Sequence, residues 1–353
     1  MSDIRALPGF VTFTSDADLG IRDRSVQALV TLHLPRETGA AATLMRFGRL
    51  INPWSDEFSE TVIEPDVKVD ATVVPALRAR LHDSDTRIRR SAARGLGILR
   101  AHDALPDLIG VVREDRDNQG RFEAVRALRK IRDVTVSADL MALVPKNTEK
   151  VRNEIVATVG YLRDEGAVPE LTRQFQEAKP GDSFRPLLLS ALADIADPSS
   201  APLFAASKAD KDLTIRLYAN EGLARVGDPS VTTAMSAERL AEKDPRVQTA
   251  QAFGLFRMGR VEYADELIRA LGNSVTKDLA REYLLGAKPA ELAVLLTKRA
   301  DVASVRAEMA EIFGLIGDRS ALPLLRDLSR ESDKEVAESA DRAIRRINAG
   351  GGA

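Results

Sequence analysis

The sequence predicts an all-α fold, a right-handed α-solenoid of about ten stacked antiparallel helix pairs with 31–33 residues in each repeat. Two observations predict it. A short motif recurs at nearly constant spacing, and each copy places apolar residues on one face of a helix. Composition agrees with this prediction, because 44% of the 353 residues are hydrophobic but only 5% are aromatic. The core is therefore expected to consist of Ala, Leu, Val and Ile side chains.

The recurring motif is an Asp, then an apolar residue followed by Arg, then small and apolar residues, and finally Gly. In its clearest copy, which begins at Asp85, the apolar residues Ile88, Ala92 and Leu96 recur at the spacing of one helix face. The residue after the apolar anchor recurs in steps of 31 to 33 residues, apart from one step of 26. Its positions are 89, 121, 152, 185, 216, 248, 280, 306 and 337. Neither helix of a pair buries its apolar face alone, so stacking must complete the core.

These units resemble HEAT repeats, specifically the short Ala- and Gly-rich variety called PBS-lyase-type HEAT-like repeats. The resemblance rests on Asp-x-x-Ile-Arg-x-x-Ala-x-x-x-Leu-Gly at residues 85–97 and on Ala-Leu-Pro-x-Leu at residues 104–108. It implies that the second helix of each pair lines a concave face. It also implies an Asp/Arg ladder between neighbouring repeats at the turns between helices. The matching pairs are Asp18/Arg22, Asp85/Arg89, Asp182/Arg185, Asp212/Arg216 and Asp301/Arg306, and the series is interrupted at Gln248, Ala280 and Ala337.

The chain is expected to divide into an N-terminal degenerate repeat or cap (1–51), an irregular insertion (52–72), the repeat array (73–348) and a flexible tail (349–353). The insertion carries Trp54, which is the only tryptophan, together with two prolines and several acids. Two interpretations stay open for Trp54. It anchors a partner-binding hook, or it covers an exposed end of the core.

Several classes of chemistry are absent from the sequence. The chain has no cysteine, and His33, His82 and His102 do not occur in His-Glu pairs. Deoxyhypusine hydroxylase, a HEAT-repeat enzyme that holds two irons with such pairs, is therefore a poor match, and no metal or cofactor is expected. The start of the sequence has no signal-peptide pattern and no apolar stretch is long enough to cross a bilayer, so we expect a cytoplasmic protein without membrane contacts.

Charge is distributed unevenly, although the net charge is only −2. Residues 78–132 hold 14 Lys and Arg against 8 Asp and Glu. Five of these cations recur at matching positions of two second helices, and with Trp54 they are the predicted partner-binding residues: Arg90, Arg94, Arg126, Arg129 and Lys130. Three interpretations are open. The cations form an ordinary solvated helix face, bind an acidic segment of a protein, or bind the phosphates of nucleic acid.

The leading functional prediction is a non-catalytic scaffold or adaptor that binds a protein partner along the concave face. Two alternatives remain. One is a nucleic-acid-binding protein that uses the basic residues of 78–132, as HEAT-like DNA glycosylases do. That family also needs aromatic residues in its cleft, and here the sequence indicates only Phe122 beside the cations. The other is a chaperone or enzyme similar to the phycobilin lyases that share this type of repeat.

Overall fold

The computed structural model of the protein describes residues 4–34, 62–63 and 67–350. These residues form α-helices joined by short turns, and no β-strand occurs among them. The chain divides into two compact units, residues 1–178 and 179–353, which are described separately. Trp54 lies outside the described residues, so the two interpretations of this residue stay open.

The first unit consists of helices that pair in sequence order. They are α1 (Leu7–Phe13), α2 (Leu19–Thr31), α3 (Val73–Arg80), α4 (Thr86–Ile98), α5 (Leu105–Glu114), α6 (Asn118–Ile131), α7 (Ser137–Leu143), α8 (Glu149–Leu162) and α9 (Val168–Glu177). Within the pairs, α1 packs on α2, α3 on α4, α5 on α6, and α7 on α8. The second helices α2, α4, α6 and α8 also pack side by side. This is the predicted arrangement of helix pairs stacked into an array.

Local sequence signals set the ends of these helices. The second helices α2, α4 and α6 each begin after an Asp whose side chain accepts a hydrogen bond from a backbone N–H of the first turn, for example from Arg87 to Asp85. First helices begin with proline in the first turn, as Pro106 does in α5. Asp85 is thus a helix cap, although the family resemblance implied a role in the ladder.

The second unit contains the remaining helices. They are α10 (Phe184–Ile195), α11 (Ala201–Ser207), α12 (Leu213–Val226), α13 (Thr232–Arg239), α14 (Pro245–Arg257), α15 (Ala264–Ala270), α16 (Lys277–Leu285), α17 (Pro289–Leu295), α18 (Ala303–Ile316), α19 (Leu322–Leu328) and α20 (Lys334–Gly350). The second helices α10, α12, α14, α16, α18 and α20 pack in that order. Two of them, α12 and α18, end at Gly227 and Gly317, whose positive φ angles of 72° and 77° suit glycine. The short step in the repeat series coincides with the short helices α16 and α17.

Neighbouring second helices approach closely where the motif places glycine. A Cβ atom added to Gly97 on α4 would lie 2.6 Å from the Cα atom of Ala127 on α6. Any side chain at this position therefore forces the two helix backbones apart. The Gly at the end of each motif allows the close packing that an alanine-rich core requires.

The variant Gly97→Ala is expected to lower the free energy of unfolding of the first unit by about 2 kcal/mol, because overpacking against a backbone outweighs the gain in helix propensity. Gly110→Ala is the matched control. Gly110 also lies in a helix, but its added Cβ meets no atom within 4 Å, so stability should rise by up to about 1 kcal/mol. Urea unfolding followed by circular dichroism measures both changes. Equal stabilities of the two variants would contradict this packing argument.

Candidate functional site: the second-helix surface

The predicted site residues lie on the outward faces of α4, α6 and α8 in the first unit. Because these helices pack side by side, side chains from consecutive repeats meet across them. We call this face the second-helix surface. Its residues are Arg90, Arg94, Phe122, Arg126, Arg129, Arg132, Lys150, Glu154 and Tyr161.

Arg90 and Arg94 on α4 each bind an acid of the following repeat. Nε and Nη2 of Arg90 donate to the two carboxylate oxygens of Asp117 over 2.5 and 2.8 Å. Arg94 binds the buried Glu123 in the same two-pronged way over 3.0 and 2.7 Å. Burial opposes ionisation of Glu123, but Arg94 outweighs it and holds the pKa of the carboxyl below its usual value. These two arginines therefore join α4 to α6.

Arg126 and Lys150 lie against one aromatic ring. The guanidinium carbon of Arg126 is 5.6 Å from the centre of the Phe122 ring, and Nζ of Lys150 is 4.4 Å from it. Lys150 also donates to the side-chain oxygen of Gln119 over 2.9 Å. A cation from α6 and a cation from α8 thus meet over a ring on α6.

A second aromatic ring carries two more cations. The guanidinium carbons of Arg129 and Arg132 lie 4.9 and 5.3 Å from the centre of the Tyr161 ring. Arg129 also lies 3.7 Å from a carboxylate oxygen of Glu154. The sequence indicated Phe122 alone beside the basic residues, and the structure adds Tyr161, which is 29 or more residues away from either arginine in the chain. Lys130 is buried, with 8% of its surface exposed.

The second-helix surface thus contains two kinds of cation. Arg90 and Arg94 are engaged by carboxylates from the neighbouring helix, whereas Arg126, Arg132 and Lys150 lie over aromatic rings. Stacking uses the flat face of a guanidinium, and its N–H donors lie in the plane of the group. Such cations suit hydrogen bonding to the carboxylates of a ligand.

A ladder of arginines connects the turns of consecutive repeats. Arg89 donates from Nη1 to the carbonyl oxygens of Asp83 and Ser84, and from Nε and Nη2 to the carboxylate of Asp115 in the next repeat. The same pattern occurs at Arg22 in the first unit and at Arg216 and Arg306 in the second. Gln248 keeps part of the pattern, because its amide donates to the carbonyl oxygen of Glu242.

The acid that receives each arginine is not the Asp of the recognised motif. It lies two residues earlier, at the first position of an acid-x-Asp pattern, and it also accepts the backbone N–H of the capping Asp. Examples are Asp83 before Asp85, Asp115 before Asp117, Asp210 before Asp212 and Glu242 before Asp244. This recurring pattern is the sequence signal that could have identified the partner of each arginine.

The second unit contains a different cluster, centred on Arg225 of α12. Its guanidinium binds Glu221 on the same helix, Asp194 on α10 and Glu282 on α16, with shortest N–O distances of 2.5, 3.2 and 2.8 Å. We call these four residues the Arg225 cluster. Burial raises the pKa of Glu221 to about 7, and Glu282 and Asp194 add to this, although Arg225 opposes it. The cluster ties α12 to helices on both sides, including one that lies two repeats further along the chain.

Two structural features bear on the class of protein. No group of three His, Cys, Asp or Glu side chains in the described ranges is placed to hold a metal ion. Among the helices from α1 to α20, none has both the length and the apolar character that a bilayer-spanning segment needs.

Comparison with known proteins agrees with the repeat pattern. Residues 67–129, which include α3 to most of α6, match the family model described as HEAT repeats. The protein is built from HEAT repeats. No curated protein sequence matches this HEAT-repeat chain.

Solved structures support the fold. Two crystal structures of importin beta match with a TM-score of 0.53 and 11% sequence identity, over 97% and 98% of this chain. The match covers 54% and 52% of those chains, so this HEAT-repeat chain spans about half of their length. The complex of CpcE and CpcF of phycocyanin lyase from a Nostoc species matches at 18% identity over 78% of this chain and 92% of that chain, with a TM-score of 0.38. The all-helical HEAT solenoid is thus the fold of this protein.

Proposed function

We propose that this HEAT-repeat protein is a non-catalytic scaffold that binds an acidic segment of a protein partner on the second-helix surface of its first unit. The observation that carries the proposal is the pair of cation-bearing rings, Phe122 on α6 and Tyr161 on α8. The rings pre-position cations from two repeats without a buried carboxylate for each. Ordered cations lose less side-chain entropy when a ligand carboxylate binds them.

The same observation favours a protein over nucleic acid. Proteins that bind single strands stack bases on open aromatic faces. Here Phe122 and Tyr161 each carry two cations already, which leaves less ring surface for a base. A protein carboxylate needs the cations and not the rings, so it fits this surface better.

The test uses a fluorescent 12-residue peptide of alternating Glu and Ser as the probe. The double variant Arg126→Glu/Lys150→Glu should weaken its binding by at least about tenfold, because two attractive charges become repulsive. The matched control is Arg113→Glu/Lys146→Glu, which makes the same charge change at exposed residues of the first unit outside this surface. Fluorescence anisotropy measures both affinities. Equal weakening by both variants would show a general charge effect and contradict the proposed site.

Arg90 and Arg94 are unsuitable for this charge reversal. A glutamate in place of Arg94 would face the buried Glu123, and the repulsion would destabilise the array itself. A thymidine oligonucleotide serves as the second probe. Tighter binding of the oligonucleotide than of the acidic peptide, with a steep loss on adding salt, would replace the protein partner with nucleic acid.

A further inference from the structure

The Arg225 cluster has a buried floor and an exposed rim. The side chains of Arg225 and Glu221 are 14% and 7% exposed, whereas those of Asp194 and Glu282 are 37% and 62% exposed. The rim acids come from α10 and α16, and both contact the same guanidinium. Solvent, or a ligand, therefore reaches carboxylates that converge on one buried cation.

The charges in this cluster do not balance. The charged groups that act on Glu221 are Arg225, Glu282 and Asp194. When all three acids are ionised, one guanidinium faces three carboxylates, and two negative charges remain uncompensated. Such a surplus next to a buried carboxylate costs free energy unless a proton or another cation neutralises it.

An unpartnered hydroxyl lies beside the same charges. Tyr283 on α16 is 2% exposed, and its ring stacks on Phe253 with the ring centres 4.2 Å apart. Its hydroxyl has no hydrogen-bond partner. Glu221, Arg225 and Glu282 are the charged groups that act on the Tyr283 phenol. A buried hydroxyl without a partner is rare in folded proteins and points to a missing ligand group.

We propose that the Arg225 cluster is a docking site for a lysine side chain from a basic segment of a protein partner. A lysine ammonium is compact and presents three N–H donors. It would bind the rim carboxylates of Asp194 and Glu282 and supply the charge that Arg225 alone does not provide. This site lies in the second unit, has the opposite charge preference to the second-helix surface, and does not depend on the function proposed for that surface.

Docking of a cation is coupled to the protonation of Glu221. Burial raises the pKa of this carboxyl to about 7, so at pH 6 most of the free protein carries a proton there. A bound ammonium favours the ionised carboxylate, so binding releases that proton. Affinity should therefore increase by about tenfold between pH 6 and pH 8, the limit for one linked proton with a pKa near 7.

Isothermal titration calorimetry of the full chain with a 12-residue peptide of alternating Lys and Ser tests the proposal. We expect wild-type affinity to rise with pH, and the binding heat at pH 6.5 to differ between two buffers with different ionisation enthalpies, because a proton is released. Glu221→Gln should keep binding but lose the pH dependence. Glu282→Gln should lose about tenfold in affinity, as expected for one charged contact worth about 1.4 kcal/mol.

The matched control is Glu177→Gln, which removes one carboxylate from the exposed pair that Glu170 and Glu177 form with Arg173 in the first unit. This change should leave binding of the lysine peptide unchanged. Loss of affinity equal to that of Glu282→Gln would mean that only overall charge matters, and would overturn the site. Wild-type affinity that is independent of pH would overturn it as well. Neither result bears on the acidic-peptide test, which concerns α6 and α8.

Discussion

The variant Arg89→Met is expected to destabilise the first unit by about 4 kcal/mol, near the middle of the range for breaking a buried ion pair. Methionine keeps the aliphatic volume of arginine but loses both bonds to Asp115 and both bonds to the turn carbonyl oxygens. The Asp115 side chain, which is 5% exposed, would be left charged without its arginine. Arg89 at present keeps the pKa of Asp115 below its usual value even though burial opposes this.

Hydrogen exchange read by mass spectrometry is the suitable measurement, because a repeat array opens locally and not as one two-state unit. Amides of α4 and α6 should lose protection in Arg89→Met. The control Arg173→Met also removes an arginine with two carboxylate contacts, but these lie on the surface of α9, and protection should hardly change. Similar loss in both variants would show that burial of the ladder contributes nothing.

The second unit should become less stable as pH rises from about 5 to 8, by about 3 kcal/mol from Glu221 alone. Its pKa is about 7 in the folded protein, against a model value of 4.5. Below pH 4.5 the carboxyl is protonated in both the folded and the unfolded chain, so the proton costs nothing. Between these values only the folded chain keeps the proton. Above pH 7 the folded protein must hold a buried negative charge.

The variant Glu221→Gln isolates this effect, because other acids also titrate in this range. The difference in free energy of unfolding between wild type and variant is measured by urea unfolding at pH 5 and at pH 8. We expect the amide to stabilise the protein relative to wild type more at pH 8 than at pH 5. A difference that stays constant with pH would show that Glu221 is ionised throughout, with Arg225 outweighing burial.

The fold was predictable because it depends on local signals that repeat. Apolar spacing such as Ile88, Ala92 and Leu96 sets the buried face of a helix, and Asp85 and Pro106 set where helices begin. Each of these signals acts within a few residues. The stacking of helix pairs follows because neither helix of a pair covers its apolar face alone.

The pairing of charges was not predictable from local signals. Counting residues between 78 and 132 gave a basic surplus, but Arg90 and Arg94 meet acids 27 and 29 residues away. Tyr161 was missed for the same reason, since it reaches Arg129 only when α6 and α8 stack. The Arg225 cluster joins residues up to 57 positions apart, and no single repeat contains its pattern. The prediction of partner-binding residues stays a prediction for Arg126 and Arg129, and equally for Lys130 and Trp54.

The ladder also gives the array a direction in time. Each arginine of this pattern contacts an acid of the following repeat, 25 or 26 residues later for Arg89, Arg216 and Arg306. A ribosome makes the arginine first, so Arg89 leaves the exit tunnel before Asp115 does. Until then its guanidinium binds only the carbonyl oxygens of its own turn. Each repeat is therefore completed by its successor, and the nascent chain gains stability stepwise from its N-terminal side.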